Sequence, residues 1–187
     1  MRTVTYSMAT SLDGYIVGPD GSFDWTTPGE EVFGVSIDEV RGTGTYLLGR
    51  HLYETMLYWE DVDQNPSLEF STIEFARIWT ALPKVVFSTT LSHVRGNSRL
   101  ASGDLAAEIE RLRAEPTTSD IAIGGATLAA QAAELDLIDE YRVRVYPVLV
   151  GGGTPFFPRQ GRRENLELIE NRALDSRIVY LRYRVTR

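Results

Sequence analysis

Apolar and polar residues alternate at the start of the chain, with Val4, Tyr6 and Met8 on one side of a period-two pattern that predicts a strand. The pattern stops at Ser11-Leu12-Asp13-Gly14, and Gly18-Pro19-Asp20-Gly21 is a second turn signal, so a long loop is expected after the first strand. A short helix is expected over 30–40. Residues 45–49 then read as a buried strand running straight into a helix over 50–57. Residues 68–82 carry Phe75, Ile78, Trp79 and Leu82 at three- and four-residue spacing, and Pro83 stops them. This is a helix with one apolar face, and its aromatics are expected in the core. A short strand over 84–88 follows, then an amphipathic helix over 104–115 with Leu105, Ile109 and Leu112 inward, ended by Pro116.

The second half repeats the order strand, glycine, helix: a strand over 120–123, a turn at Gly124-Gly125 and an alanine-rich helix over 126–135 able to pack closely on a sheet. Residues 141–150 form the longest strand candidate. Pro147 interrupts it, which suggests a bulge or an unpaired donor, and Gly151-Gly152-Gly153 closes it. Two last strands, over 164–170 and 177–185, are expected to pair antiparallel. Strands alternating with helices early and grouped together late predict a mixed α/β sheet with helices on both faces. With no linker or repeat, residues 1–187 are expected to form one domain.

Charge and composition narrow the partners. A net charge of -7 opposes non-specific nucleic-acid binding, which needs surplus Lys and Arg. The apolar runs are far shorter than the ~20 residues that cross a bilayer, and no signal peptide is readable at the N-terminus, so no membrane partner and a cytoplasmic location are expected. The absence of cysteine removes disulfides, thiolate zinc sites and cysteine nucleophiles. His51 and His93 read as surface residues, and no metal-ligand spacing is present. Arg142, Arg144, Arg182 and Arg184 alternate along strands and are expected at a solvated sheet edge or strand end.

Two strand-to-helix junctions carry glycine, at Gly49 and at Gly124-Gly125. A helix start there offers free N–H groups to an anion, and Arg50 can add a forked cationic donor. The G-x-G-x-x-G fingerprint is missing at both, which argues against a plain Rossmann domain. The segment Leu48-Gly49-Arg50-His51-Leu52-Tyr53-Glu54-Thr55-Met56 resembles the Gly-Arg motif of dihydrofolate reductases, and Ile123-Gly124-Gly125-Ala126-Thr127-Leu128 resembles their later glycine motif. Ser11-Leu12-Asp13-Gly14-Tyr15-Ile16, Ile138-Asp139-Glu140-Tyr141 and the run from Tyr146 to Phe157 bring the likeness closer to the reductase domain of bifunctional riboflavin-pathway deaminase-reductases and its stand-alone relatives. In order, these matches cover nearly the whole chain.

The resemblance implies a dihydrofolate-reductase-like three-layer α/β/α fold, with a mostly parallel sheet and antiparallel C-terminal strands, and NADPH laid across the carboxyl ends of the central strands. It brings Gly49 and Arg50 to the adenosine and phosphates, Ser88 and Thr89 to the 2′-phosphate, and Gly124, Gly125, Ala126, Thr127 and Leu128 to the pyrophosphate. Ala9, Thr10 and Ile16 would flank the nicotinamide. Trp25 matches a tryptophan near the substrate, and the acid that anchors or protonates the acceptor would be Glu30 or Glu31, with Asp13 and Asp24 as rivals. Leu52 replaces a phosphate-binding threonine, and Thr127 stands where many relatives have arginine. The implied activity is NADPH-dependent hydride transfer to a small pterin- or pyrimidine-like acceptor, in a chain that by the same likeness forms a homodimer. The alternative is a non-catalytic nucleotide- or ligand-binding protein that retains the fold.

Overall fold

The computed structural model describes residues 1–62, 68–157, 163–174 and 177–187. In chain order it contains β1 (Val4–Ser11), β2 (Tyr15–Val17), α1 (Glu30–Gly42), β3 (Thr43–Gly49), α2 (Arg50–Met56), α3 (Phe70–Ala81), β4 (Lys84–Phe87) and β5 (Ser98–Leu100). These are followed by α4 (Leu105–Arg113), β6 (Asp120–Gly124), α5 (Ala126–Glu134), β7 (Glu140–Tyr146), β8 (Thr154–Pro155), β9 (Asn165–Ala173) and β10 (Val179–Thr186). Among the described residues no helix is long and apolar enough to cross a membrane.

The main sheet has eight strands in the order β5-β4-β3-β6-β1-β7-β10-β9. Pairing is parallel from β5 through β7, and β10 and β9 add antiparallel. Alternation along each strand builds the two outer layers. Val4, Tyr6, Leu47, Val85, Ile121 and Ile123 face α4 and α5, where Leu105, Ile109, Leu112, Leu128 and Ala132 meet them. Leu48 and Val86 face the other way, against Ile37 and Val40 of α1, Tyr53 of α2 and Phe75 and Trp79 of α3. The expected apolar faces of the helices are thus the buried ones. Asp104 starts α4 by accepting the Ala107 N–H at 2.9 Å, a side-chain cap that fixes where the helix begins.

Three expectations change. The segment after β1 is not a plain loop: β2 pairs antiparallel with β8, because Gly153 (φ +110) lets the 151–155 backbone close against Val17 and Gly18, where no side chain would fit. β7 ends at Tyr146 and does not continue to residue 150. Pro147 has no N–H to give the ladder, and the chain turns so that the Val148 carbonyl accepts from Leu12 at 2.8 Å.

Arg142 and Arg144 of β7 do not form a solvated edge, whereas Arg184, near the end of β10, is exposed as expected. β7 lies between β1 and β10, Arg142 is 8% exposed, and it donates to Glu140 at 2.5 Å and Asp120 at 2.7 Å. Arg182 pairs with Glu140 and Glu170, each at 2.9 Å. Burial pushes the Glu140 carboxyl up, but donation from Arg182 and Arg142 overrides this and holds it below the ordinary carboxylate range. Sequence alternation places these arginines on one face of the sheet. Partners on other elements, invisible in that alternation, decide that the face is buried along β7 and opens to solvent towards the end of β10.

Candidate functional site

At the carboxyl ends of β1, β3, β4 and β6 the sheet opens into a cleft of about 680 Å³. Its walls come from three places. The β1–α1 connection contributes Ile16, Val17, Gly21, Phe23 and Thr26. The β3–α2 junction contributes Gly49, Arg50, His51 and Leu52, and the β6–α5 junction contributes Gly125, Ala126, Thr127 and Leu128. Parallel strands with helices crossing between them leave helix starts and connecting loops together at one end, which is where such a crevice forms.

Both glycine junctions fit an extended phosphate-bearing ligand. The space a Cβ would occupy at Gly49 is open, so the backbone there is approachable. Gly125 holds φ +93 as the N-cap of α5, and no side chain caps the first N–H groups of that helix. Those groups, from residues in the cleft wall, are available to an anion. Arg50 lines the same cleft, and its Nη2 lies 3.5 Å from His51 Nε2. His51 and His93 are both exposed, as expected. Leu52, which replaces the expected threonine, packs against Gly124 and Gly125 and forms part of the cleft wall.

The remaining expected residues fall in different places. Ala9 and Ile16 line the cleft, whereas Thr10 is buried beside it and donates to the Tyr15 and Ser11 carbonyls, holding the β1–β2 turn. Phe87, not Ser88 or Thr89, reaches the cleft from β4. The Ser88 oxygen accepts the N–H groups of Thr90 and Leu91 at 3.1 and 3.0 Å, and Thr89 is exposed beside it. Asp13 lies outside the cleft walls and accepts from the Val150 and Gly151 N–H groups, at 3.2 and 2.8 Å. A hydrogen bond from Ser11 and these backbone contacts hold its carboxyl below the usual value. Glu30 and Glu31 are exposed in the first turn of α1 and line neither cavity described here. Trp25 packs edge-on to Tyr146 at 5.8 Å, with its indole N–H buried and without a partner among the described residues.

A second chamber of about 210 Å³ lies between the sheet, α1 and α3. Met8, Ala9, Leu52 and Met56 line both cavities and so form the partition between them. The acid in this chamber is Glu39. Its carboxylate accepts from Ser7 Oγ at 2.7 Å, Arg144 Nη1 at 2.8 Å and Tyr180 OH at 2.9 Å. The sequence carries a signal for it. Val32, Val35 and Glu39 recur at helical spacing on the buried side of α1, and a carboxylate in an apolar row needs a partner. The partner, Arg144, stands 105 residues further along the chain.

Comparison with known proteins agrees with this geometry. The chain is 27% identical over 182 residues to the uncharacterized protein YyaP of Bacillus subtilis (strain 168), covering 97% of this chain and 94% of that one. A solved structure from Shewanella sp. PV-4, described provisionally as a riboflavin biosynthesis protein, superposes with a TM-score of 0.79 at 23% identity, over 99% of both chains. The Thermotoga maritima diaminohydroxyphosphoribosylaminopyrimidine deaminase/5-amino-6-(5-phosphoribosylamino)uracil reductase gives a TM-score of 0.65 at 17% identity, and 99% of this chain covers 57% of that one. At such identities these structures speak to the fold, with its mostly parallel sheet and antiparallel final strands. Residues 2–180 match the RibD C-terminal domain throughout, and the chain belongs to that family.

Proposed function

We propose that the chain is an NADPH-dependent reductase that passes a hydride to a small, pterin- or pyrimidine-like acceptor. One observation carries this reading: two glycine junctions, an uncapped helix start and Arg50 converge on one elongated cleft, and a smaller chamber adjoins it through Ala9. The cleft suits a dinucleotide, with its diphosphate at the start of α5 and its nicotinamide towards Ala9 and Ile16. The bound cofactor supplies the hydride. The chain supplies position, exclusion of water and a field.

The acceptor occupies the chamber. Glu39 and Arg144 neutralise one another there, so an uncharged ring is favoured over one that brings its own phosphate. The chain is further proposed to work as a homodimer, in keeping with its family.

The test is fluorescence titration of the purified protein with NADPH and NADH, followed by loss of nicotinamide absorbance with candidate ring acceptors. Micromolar NADPH binding with slow turnover of at least one uncharged pterin or pyrimidine is expected. Binding without turnover of any acceptor would favour a ligand-binding module, and binding of neither dinucleotide would overturn the reductase reading.

A further inference from the structure

Hydride addition to a C=O or C=N bond leaves the heteroatom with an electron pair that needs a proton. If the chain is a reductase as proposed, some group at the chamber must supply it. Glu39 is already the acceptor of three hydrogen bonds and serves as the anchor of Arg144. Tyr46, on β3, is differently placed. Its ring stands edge-on to Trp79 at 5.1 Å, and the side chain lines the chamber. A Cβ at Gly124 would come within 2.7 Å of its Cε1 and 3.3 Å of its hydroxyl oxygen. The hydroxyl therefore lies over the last residue of β6, one residue before the glycine that lines the cleft. It makes no hydrogen bond to any described residue. Tyr46 is half-buried, and its hydroxyl, beside the partition between the two cavities, is left free to donate to a molecule in the chamber.

We infer that Tyr46 is the acid of the reaction: its hydroxyl donates to the oxygen or nitrogen of the bond being reduced, in an uncharged planar acceptor that fits a chamber of about 210 Å³. The hydride pair forms the new C–H bond while the π pair moves onto the heteroatom. That atom takes the Tyr46 proton as the phenol O–H breaks. The dinucleotide loses two electrons, the acceptor gains them, and the tyrosinate recovers a proton from water when product leaves. Burial pushes the phenol up and Glu39 adds to this, while Arg144 and Arg142 pull it back by favouring the anion, so that it stands at about 12. Such an acid stays protonated until a strongly basic heteroatom forms beside it, and the two guanidinium groups then stabilise the tyrosinate.

The probe is 4-nitrophenolate, a small planar ring whose oxyanion stands for the charge that develops on the heteroatom. With NADP⁺ present, the parent should bind it at least ten-fold more tightly than nitrobenzene, which lacks the oxygen. Tyr46→Phe should weaken 4-nitrophenolate binding by about ten- to a hundred-fold, the range for one hydrogen bond to a charged group, and leave dinucleotide affinity and thermal midpoint unchanged. Equal affinity in parent and variant would overturn the assignment. A parent that fails to prefer the phenolate would overturn it as well, and that comparison needs no variant to fold. Dinucleotide binding is read in a separate titration. Bound dinucleotide with indifferent phenolate removes Tyr46 and leaves the reductase, whereas no bound dinucleotide removes the reductase reading itself.

Discussion

Arg50 and Arg144 show how one residue type serves two purposes according to its partners. Arg144 is held by Glu39 inside the fold, where burial disfavours its charge and the carboxylate more than restores it. Arg50 lines the cleft and, among the described residues, its side chain makes a hydrogen-bond contact only with His51, so its forked donors face a ligand with little competition. Ser88 already caps the turn after β4, so in the proposed NADPH complex Arg50 would be the main contact for the 2′-phosphate that distinguishes NADPH from NADH. Arg50→Ala should weaken NADPH binding by roughly ten- to a hundred-fold, with a much smaller loss for NADH. Added salt should narrow the parent's preference. Dissociation constants for both cofactors, measured on parent and variant, decide this. Equal losses would mean that Arg50 does not touch the phosphate.

At the scale of elements, the junction of β6 with α5 combines a conformational demand with a functional one. Gly125 adopts φ +93, a region that costs a residue with a Cβ roughly 1–2 kcal/mol, although the nearest atom to such a Cβ, on Leu52, is 3.8 Å away. Gly125→Ala should therefore lower the thermal midpoint by about 2–8 °C, because each kcal/mol moves a chain of this size by about 2–4 °C. It should also weaken dinucleotide binding more than Arg50→Ala weakens NADH binding, since it disturbs the N–H groups that would face the diphosphate in the proposed complex. A calorimetric scan and an NADH titration of the two variants make the comparison, and a Gly125→Ala protein with the parent's midpoint would contradict it. This junction was legible in the sequence because strand, glycine and helix signals are all local. The ends of α3 at Pro83 and of α4 before Pro116 were legible for the same reason. The β2–β8 pair was not, and of the Glu39 cluster only the place of Glu39 on the buried row of α1 was, since its partners Arg144 and Tyr180 lie more than a hundred residues away and leave no periodic trace. Asp13 and Glu30 had the right residue type near a plausible motif, but only three-dimensional placement separates a turn-capping or solvent-facing carboxylate from one facing a cavity.

The whole molecule is tied together by its first strand, since β1 lies between β6 and β7 at the centre of the sheet. No half of the sheet can detach without breaking that strand's pairing, so the chain is expected to unfold in one transition. A second feature concerns the β10 and β9 end. Val179, Leu181, Tyr183 and Val185 of β10 pair with Ala173, Asn171, Leu168 and Leu166 of β9; none of these eight is charged, and Leu181, Tyr183 and Val185 pack in part on the main core. The intervening Arg182, Arg184, Glu170 and Glu167 pair with one another across the opposite face. Leu166, Leu168 and Val179 are 37%, 47% and 39% exposed. For a chain of net charge -7, the uncharged exposed strip of Leu166, Leu168 and Val179 is a surface on which a second copy could be met without like charges being brought together. The proposed homodimer therefore pairs these faces, with the two sheets about 10 Å apart. A urea melt should show one transition whose midpoint rises with protein concentration, because association stabilises only the folded state. Leu168→Glu places a charge on the face at a half-exposed position, so it should remove the concentration dependence and reduce the mass in solution from dimer to monomer, with the circular dichroism unchanged. Glu167→Gln, on the opposite face, should leave the dimer intact. Two transitions would divide the domain, and a parent that is monomeric at high concentration, or a Leu168→Glu variant that still pairs, would show that this face meets no second copy.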